Sequence, residues 1–176
     1  MAAVPVVVLP VFRVSVSNQL GWTQAVGSRA DLAKALDAEI RSAVQDRAVR
    51  TWAFSDDLSR DFQRNPTYAT DPYLLAEEPL RSPALRDGDR LPEPLASQLR
   101  TLVALRDKSR YVLAPVDVRI EPAAGGGQAR LRLVLIDAVT SEIRWIGAVQ
   151  SDVAPAYGPA VLASLGAHVA DLVAAP

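Results

Sequence analysis

His168 is the only histidine in 176 residues, so a Ser–His–Asp or Cys–His arrangement must use it or do without. It falls at the edge of the apolar stripe of a helix predicted near the C-terminus. No loop there could build a nucleophile elbow, and the imidazole reads as structural. Carboxylates cluster twice, at Asp56, Asp57 and Asp61 and at Asp87 and Asp89 around Gly88. Paired carboxylates can do acid–base work or hold a hard cation. Neither set has the spacing of a calcium loop, and no second histidine supports a transition metal. A helix N-terminus accounts for the first pair and a turn for Asp87-Gly88-Asp89. Gly125-Gly126-Gly127 lies between two alternating strands, whereas a phosphate-cradling loop leads from a strand into a helix. The run therefore predicts a hairpin. The chain has no cysteine, which removes disulfides, thiolate catalysis, zinc fingers and iron–sulfur ligation. No catalytic, cofactor or metal residue is expected, and a metal-dependent hydrolase is the least favoured reading.

The elements that must position any site follow from composition and period. Apolar residues are 49% and charged residues 22% of the chain, a globular balance in one domain's length. A net charge of -1 leaves no overall basic footprint for nucleic acid. No apolar run reaches the roughly 20 residues of a membrane span. The nearest, 154–176, is interrupted by Gly158, Pro159, Gly166 and Asp171 and predicts a buried amphipathic helix. Met1 to Pro5 lacks the positive charge of a signal peptide. The expectation is a membrane-peripheral protein, periplasmic if a leader has been removed and cytoplasmic otherwise.

Val4 to Phe12 is a valine-rich run that suits a strand buried on both faces, with Pro5 and Pro10 at its ends or on an unpaired side. Residues 13–27 are expected as a loop. Ser28 reads as an N-cap with Asp31 in the first turn, and Leu32, Leu36, Ile40 and Val44 place one apolar stripe on a helix of about five turns. Val49 to Phe54 predicts a short strand. Ser55 to Arg64 predicts a short helix stopped by Asn65-Pro66. A further helix opens at Pro94, with Leu95, Leu99, Leu102 and Val103 on its stripe. Tyr111–Glu121, Ala129–Asp137 and Ile143–Val149 alternate with period two and predict an antiparallel meander. On the first, Val116, Val118 and Ile120 should share one face. A last helix is expected over 159–173. The fold class is α/β (α+β), a single domain over 1–176 with a five-stranded mixed sheet and helices mainly on one face.

Between 65 and 94 lie six of the 13 prolines, together with Tyr68, Tyr73, Leu74, Leu75, Leu80 and Leu85. So long a connection inside a compact domain is usually functional or disordered, and its aromatics and leucines argue against disorder. Leu20, Trp22, Tyr68, Tyr73, Leu74 and Leu75 stand in segments without regular periodicity and are the candidate partner-binding residues. They either anchor an interface or fold back as satellite clusters on the core. Arg119, Arg130, Arg132 and Arg144 could line up on the polar face of the meander and take an anion or acidic partner. Alternatively that face is solvated, with Asp117 and Glu121 as cross-strand neighbours.

The opening strand Val6-Val7-Val8-Leu9-Pro10-Val11 and the hairpin Leu133-Val134-Leu135-Ile136-Asp137-Ala138-Val139-Thr140-Ser141-Glu142-Ile143-Arg144-Trp145 form a pattern. It resembles bacterial envelope interaction domains of the kind found in the TolB N-terminal domain, CsgG and LpoB. The likeness spans roughly the first 45 and last 70 residues. Ser141 stands where the pattern has a turn glycine, and the Pro-rich middle has no counterpart. The resemblance implies a non-enzymatic, protein-binding role. One form of that role is an extrinsic accessory subunit on a membrane complex, of which photosynthetic reaction centre–light-harvesting assemblies are one example. Its partners would then include integral membrane subunits. The alternative is a stand-alone periplasmic regulatory or ligand-binding domain.

Overall fold

The computed structural model describes residues 4–47, 51–106 and 108–174. Strands β1 (Val6–Val8) and β2 (Arg13–Val16) are followed by a short helix α1 (Thr23–Val26), then α2 (Arg29–Asp46) and α3 (Ser55–Arg64). After the Pro-rich segment come α4 (Leu95–Ala104), β3 (Tyr111–Ala123), β4 (Gly126–Asp137), β5 (Glu142–Gln150) and α5 (Pro159–Ala174). The sheet is five-stranded and mixed. β1 and β2 pair in parallel with successive halves of β3, and β3, β4 and β5 form the antiparallel meander.

The fifth strand is not where the sequence predicted it. Of Val49–Phe54, Val49 and Arg50 lie outside the described residues. Ala53 forms a single bridge with Val7, through Val8 N–H to Ala53 O at 2.7 Å and Ala53 N–H to Val6 O at 3.0 Å. Beyond Ala53 pairing cannot continue because Phe54 already caps α3. The missing strand is β2, inside the expected loop. Leu9 to Phe12 carry the chain past the middle of β3 and it resumes pairing at Arg13.

A bulge explains that break. The β3–β4 register shifts between Pro115 and Asp117, where proline has no N–H to give the ladder. One extra residue reverses the alternation. Val112, Ala114 and Val116 face one core, while Val118 and Ile120 face the other. The expectation that Val116 shares a face with Val118 and Ile120 fails for this reason.

Each face of the sheet carries its own core. On the first, α2 and α5 cover Val118, Leu131 and Leu133 with Leu36, Ile40, Leu165 and Val169. Ser28 caps α2, its hydroxyl accepting from Asp31 N–H at 3.1 Å. Gly166 lets α5 approach closely, since a Cβ there would stand 3.0 Å from the Glu39 backbone. On the second face, α3 and α4 cover Val112, Val134 and Ile136 with Leu58, Leu95 and Leu99. The Pro-rich segment completes that layer with Leu75, Leu80 and Leu91.

Candidate docking face

The Pro-rich segment is pinned at intervals. Ala69, Pro72, Leu75, Leu80 and Leu91 are buried. A 3-10 turn spans Glu78–Arg81. Ala76 N–H donates to the Gln98 side chain at 2.9 Å. Near its end the segment closes the outer edge of the β4–β5 turn. Gly88 N–H donates to Ile143 O, Ile143 N–H to Asp89 O and Leu91 N–H to Ser141 O, each at 2.8 Å.

Between these pins the chain must bulge outward. Tyr68 is 79% exposed, Leu74 73% and Tyr73 47%. An Asx turn shapes the bulge, with Tyr73 N–H donating to the Asp71 carboxylate at 3.0 Å. Tyr73 bends over the rim of the sheet toward α2 and α3, where it lines a pocket with Ser55, and burial pushes its hydroxyl pKa up. Beside it Asp37 accepts Val11 N–H at 3.0 Å. Burial, with Asp56 nearby, outweighs that bond and raises the Asp37 pKa to about 7. Lys34, Arg41, Ser55 and Asp56 complete a 190 Å³ pocket around Asp37 and Tyr73.

The six candidate partner-binding residues are not brought together. Trp22 is 7% exposed. Its ring lies on Gly127, where a Cβ would stand 2.5 Å away, and its centroid is 6.0 Å from that of Tyr157. The glycine run thus makes the hairpin turn, with positive φ at Gly125 and Gly126, and seats Trp22 as well. Leu20 packs partly buried beside it. Both residues belong to the first core. Leu75 belongs to the second. Tyr68, Tyr73 and Leu74 remain at the surface.

The arginines also divide. Arg119, Arg130 and Arg132 line a 460 Å³ open groove on the second face with Asp117 and Glu121. Arg119 pairs with Asp117 at 2.7 Å, and Arg132 donates to Ser82 O at 3.1 Å. Arg144 stands apart with Arg110 on Asp137, at 3.1 and 2.6 Å. Burial alone would raise the Asp137 pKa. Hydrogen bonds from Arg110, Arg144 and Thr140 N–H reverse this and hold it at about 2. Asp137 also accepts Val139 N–H at 3.2 Å, so it organises the whole β4–β5 turn.

The acidic clusters have local duties. Asp57 accepts Phe54 N–H at 3.0 Å and pairs with Arg60. Asp56 meets Arg41 at 3.0 Å and Asp61 meets Arg106 at 2.5 Å. Asp89 accepts Arg86 N–H at 2.8 Å. His168 donates from Nδ1 to Gln150 O at 2.5 Å. No group of three or more potential metal ligands occurs among the described residues, and no described helix is long and apolar enough to cross a membrane.

No protein-family model and no curated protein sequence matches the chain. Among solved structures it is similar to a PelC dodecamer subunit from Paraburkholderia phytofirmans, at 13% identity over 98% of this chain and 88% of that one, TM-score 0.48. It is similar to lipoprotein GNA1162 from Neisseria meningitidis, at 13% identity over 97% and 96%, TM-score 0.45. The LpoB C-terminal domain from Salmonella enterica is 16% identical over 84% and 81%, TM-score 0.43. LpoB is also among the proteins to which the hairpin motif points. At these identities and TM-scores the likeness assigns no role to any residue.

Proposed function

We propose that this chain is a non-enzymatic protein-binding domain of a bacterial envelope, docking as an extrinsic subunit on a larger membrane-held assembly. The observation that carries the reading is the outward bulge of the Pro-rich segment. Tyr68, Tyr73 and Leu74 are held exposed by a backbone whose neighbours, Pro72 and Leu75, are buried. Exposed aromatic and leucine side chains on a pinned backbone lose little entropy on binding, which is what an interface anchor requires. The envelope setting rests on the opening strand and on the hairpin turn organised by Asp137.

The test is purification from detergent-solubilised membranes, comparing the wild type with a Tyr68→Ser, Leu74→Ser double variant. The expected result is stoichiometric recovery of the same membrane subunits with the wild type and their loss with the variant. The melting curve of the variant should match within about 0.5 kcal/mol, since neither side chain supports the core. Recovery of the wild type as a free monomer would overturn the proposal. The weight would then pass to a stand-alone ligand-binding domain, a reading that the groove of Arg119, Arg130 and Arg132 favours.

A further inference from the structure

A second groove lies at the opposite rim of the sheet from β5. Its volume is 380 Å³ and its apolar surface comes from Val11, Phe12, Val14, Ala30 and Ala33, with Tyr73 beside them. Three cations, Arg13, Arg29 and Lys34, complete the lining, and no carboxylate does. All three side chains are exposed. None makes an ion pair or a side-chain hydrogen bond among the described residues, where Arg41, Arg47, Arg100 and Arg106 all do. This lining differs from the groove on the second face, where Asp117 and Glu121 stand among the arginines.

The backbone adds a second feature. β2 pairs with β3 alone, and no bridge covers its outer edge among the described residues. The neighbouring stretches of that rim are closed. Ala53 bridges β1 at Val7, and the Val11 N–H is taken by Asp37. An uncovered strand edge presents alternate N–H and C=O groups to any extended chain laid beside it. Here that edge runs along a groove with apolar walls and three cations, of which Lys34 also borders the pocket of Asp37 and Asp56.

We infer that this groove receives an extended acidic-apolar segment of the partner protein, which adds as a strand along β2 and sets its carboxylates against Arg13, Arg29 and Lys34. The inference rests on the protein-binding reading above and names the chemistry of the partner. Strand addition supplies main-chain hydrogen bonds, and the flanking side chains select the sequence. A lipid headgroup would satisfy the cations but leave the strand edge unused, which is why a peptide fits the observations better.

The probe is a short fluorescein-labelled peptide alternating valine with glutamate, titrated against the full chain by fluorescence anisotropy. Controls are a valine–lysine peptide, the same acidic peptide with N-methyl groups on alternate amides, and vesicles of phosphatidylglycerol. The expected result is saturable binding of the acidic peptide only. The Arg13→Glu, Arg29→Glu, Lys34→Glu variant should weaken it by about tenfold or more, as three screened charge contacts of up to about fivefold each imply. N-methylation should abolish binding, which a purely electrostatic contact would survive. Equal binding of the lysine peptide, unaltered binding after N-methylation, or binding to the vesicles alone overturns the inference. If the charge-reversed variant still recovers the membrane subunits that the Tyr68, Leu74 variant loses, the groove is refuted while the protein-binding reading stands.

Discussion

The two faces of the sheet are both fully buried at their centres, yet they are built from different kinds of chain. Leu36 under α2 and Leu80 under the Pro-rich segment are each 0% exposed. The first sits on a stripe repeating every four residues. The second sits in a stretch where prolines forbid a helix interior and only one 3-10 turn forms. A regular helix covers its face evenly and turns its polar side to water. An irregular segment must bury residues one at a time, and what lies between them is pushed out. Periodic covering therefore yields a plain core, whereas aperiodic covering yields a core together with the exposed Tyr68, Tyr73 and Leu74.

The comparison is sharpened first by matched truncations. Leu36→Ala and Leu80→Ala should each destabilise by about 2–5 kcal/mol in denaturant melts, because each leaves a cavity in close-packed surroundings. A Leu80→Ala cost below about 1 kcal/mol would mean that the Pro-rich layer yields, and the equivalence of the two cores would be lost.

A somewhat smaller effect is expected at Asp137, whose turn holds the end of the Pro-rich segment through Leu91 and Gly88. Its pKa falls from 3.8 to about 2 on folding. A depressed carboxylate contributes stability above its unfolded pKa and loses it as pH falls through the folded one. That contribution is roughly 2 kcal/mol by the size of the shift. Asp137→Asn should therefore be less stable than the wild type above pH 4 and converge on it near pH 2. A difference independent of pH would show that the ion pairs are not its cause. Hydrogen exchange should also report faster opening at Gly88 and Leu91 than at Leu36 in the variant.

Asp37 should change stability with the opposite sign. Its pKa rises from 3.8 to about 7. Stability linked to it is fully present below its unfolded value and is lost as pH rises toward and through 7. Asp37→Asn keeps an acceptor for Val11 N–H and removes the charge. The variant should match the wild type at pH 4 and melt higher at pH 8. Lower melting at pH 8 would instead make the Asp37 charge a support of the rim where the two layers meet.

Much of this could be read from residue order. The stripe of α2, its Ser28 cap, the stop at Asn65-Pro66 and the alternation of β4 each depend on near neighbours, and the structure reproduces them. One feature was legible only in part and another not at all. Pro115 inside β3 was the available signal for the bulge, since proline rarely sits in a central strand without one. The cations of the β2 groove had no signal, because Arg13 and Lys34 line one groove only once α2 packs on the face of the sheet beside β2. Trp22 and Leu75 looked like the other aperiodic apolar residues, and nothing local told them from Tyr68 or Leu74.

The sequence by itself determined the mixed α/β class, the meander, the helical stripes and the absence of thiol chemistry, because these follow from composition and from the two backbone periods. Tertiary structure decided which strand fills the fifth place, which face Val116 joins, and which of six apolar side chains stay in water. Those outcomes depend on contacts between residues far apart in the chain, such as Trp22 with Gly127 and Leu80 with the second face of the sheet, and no local pattern encodes them.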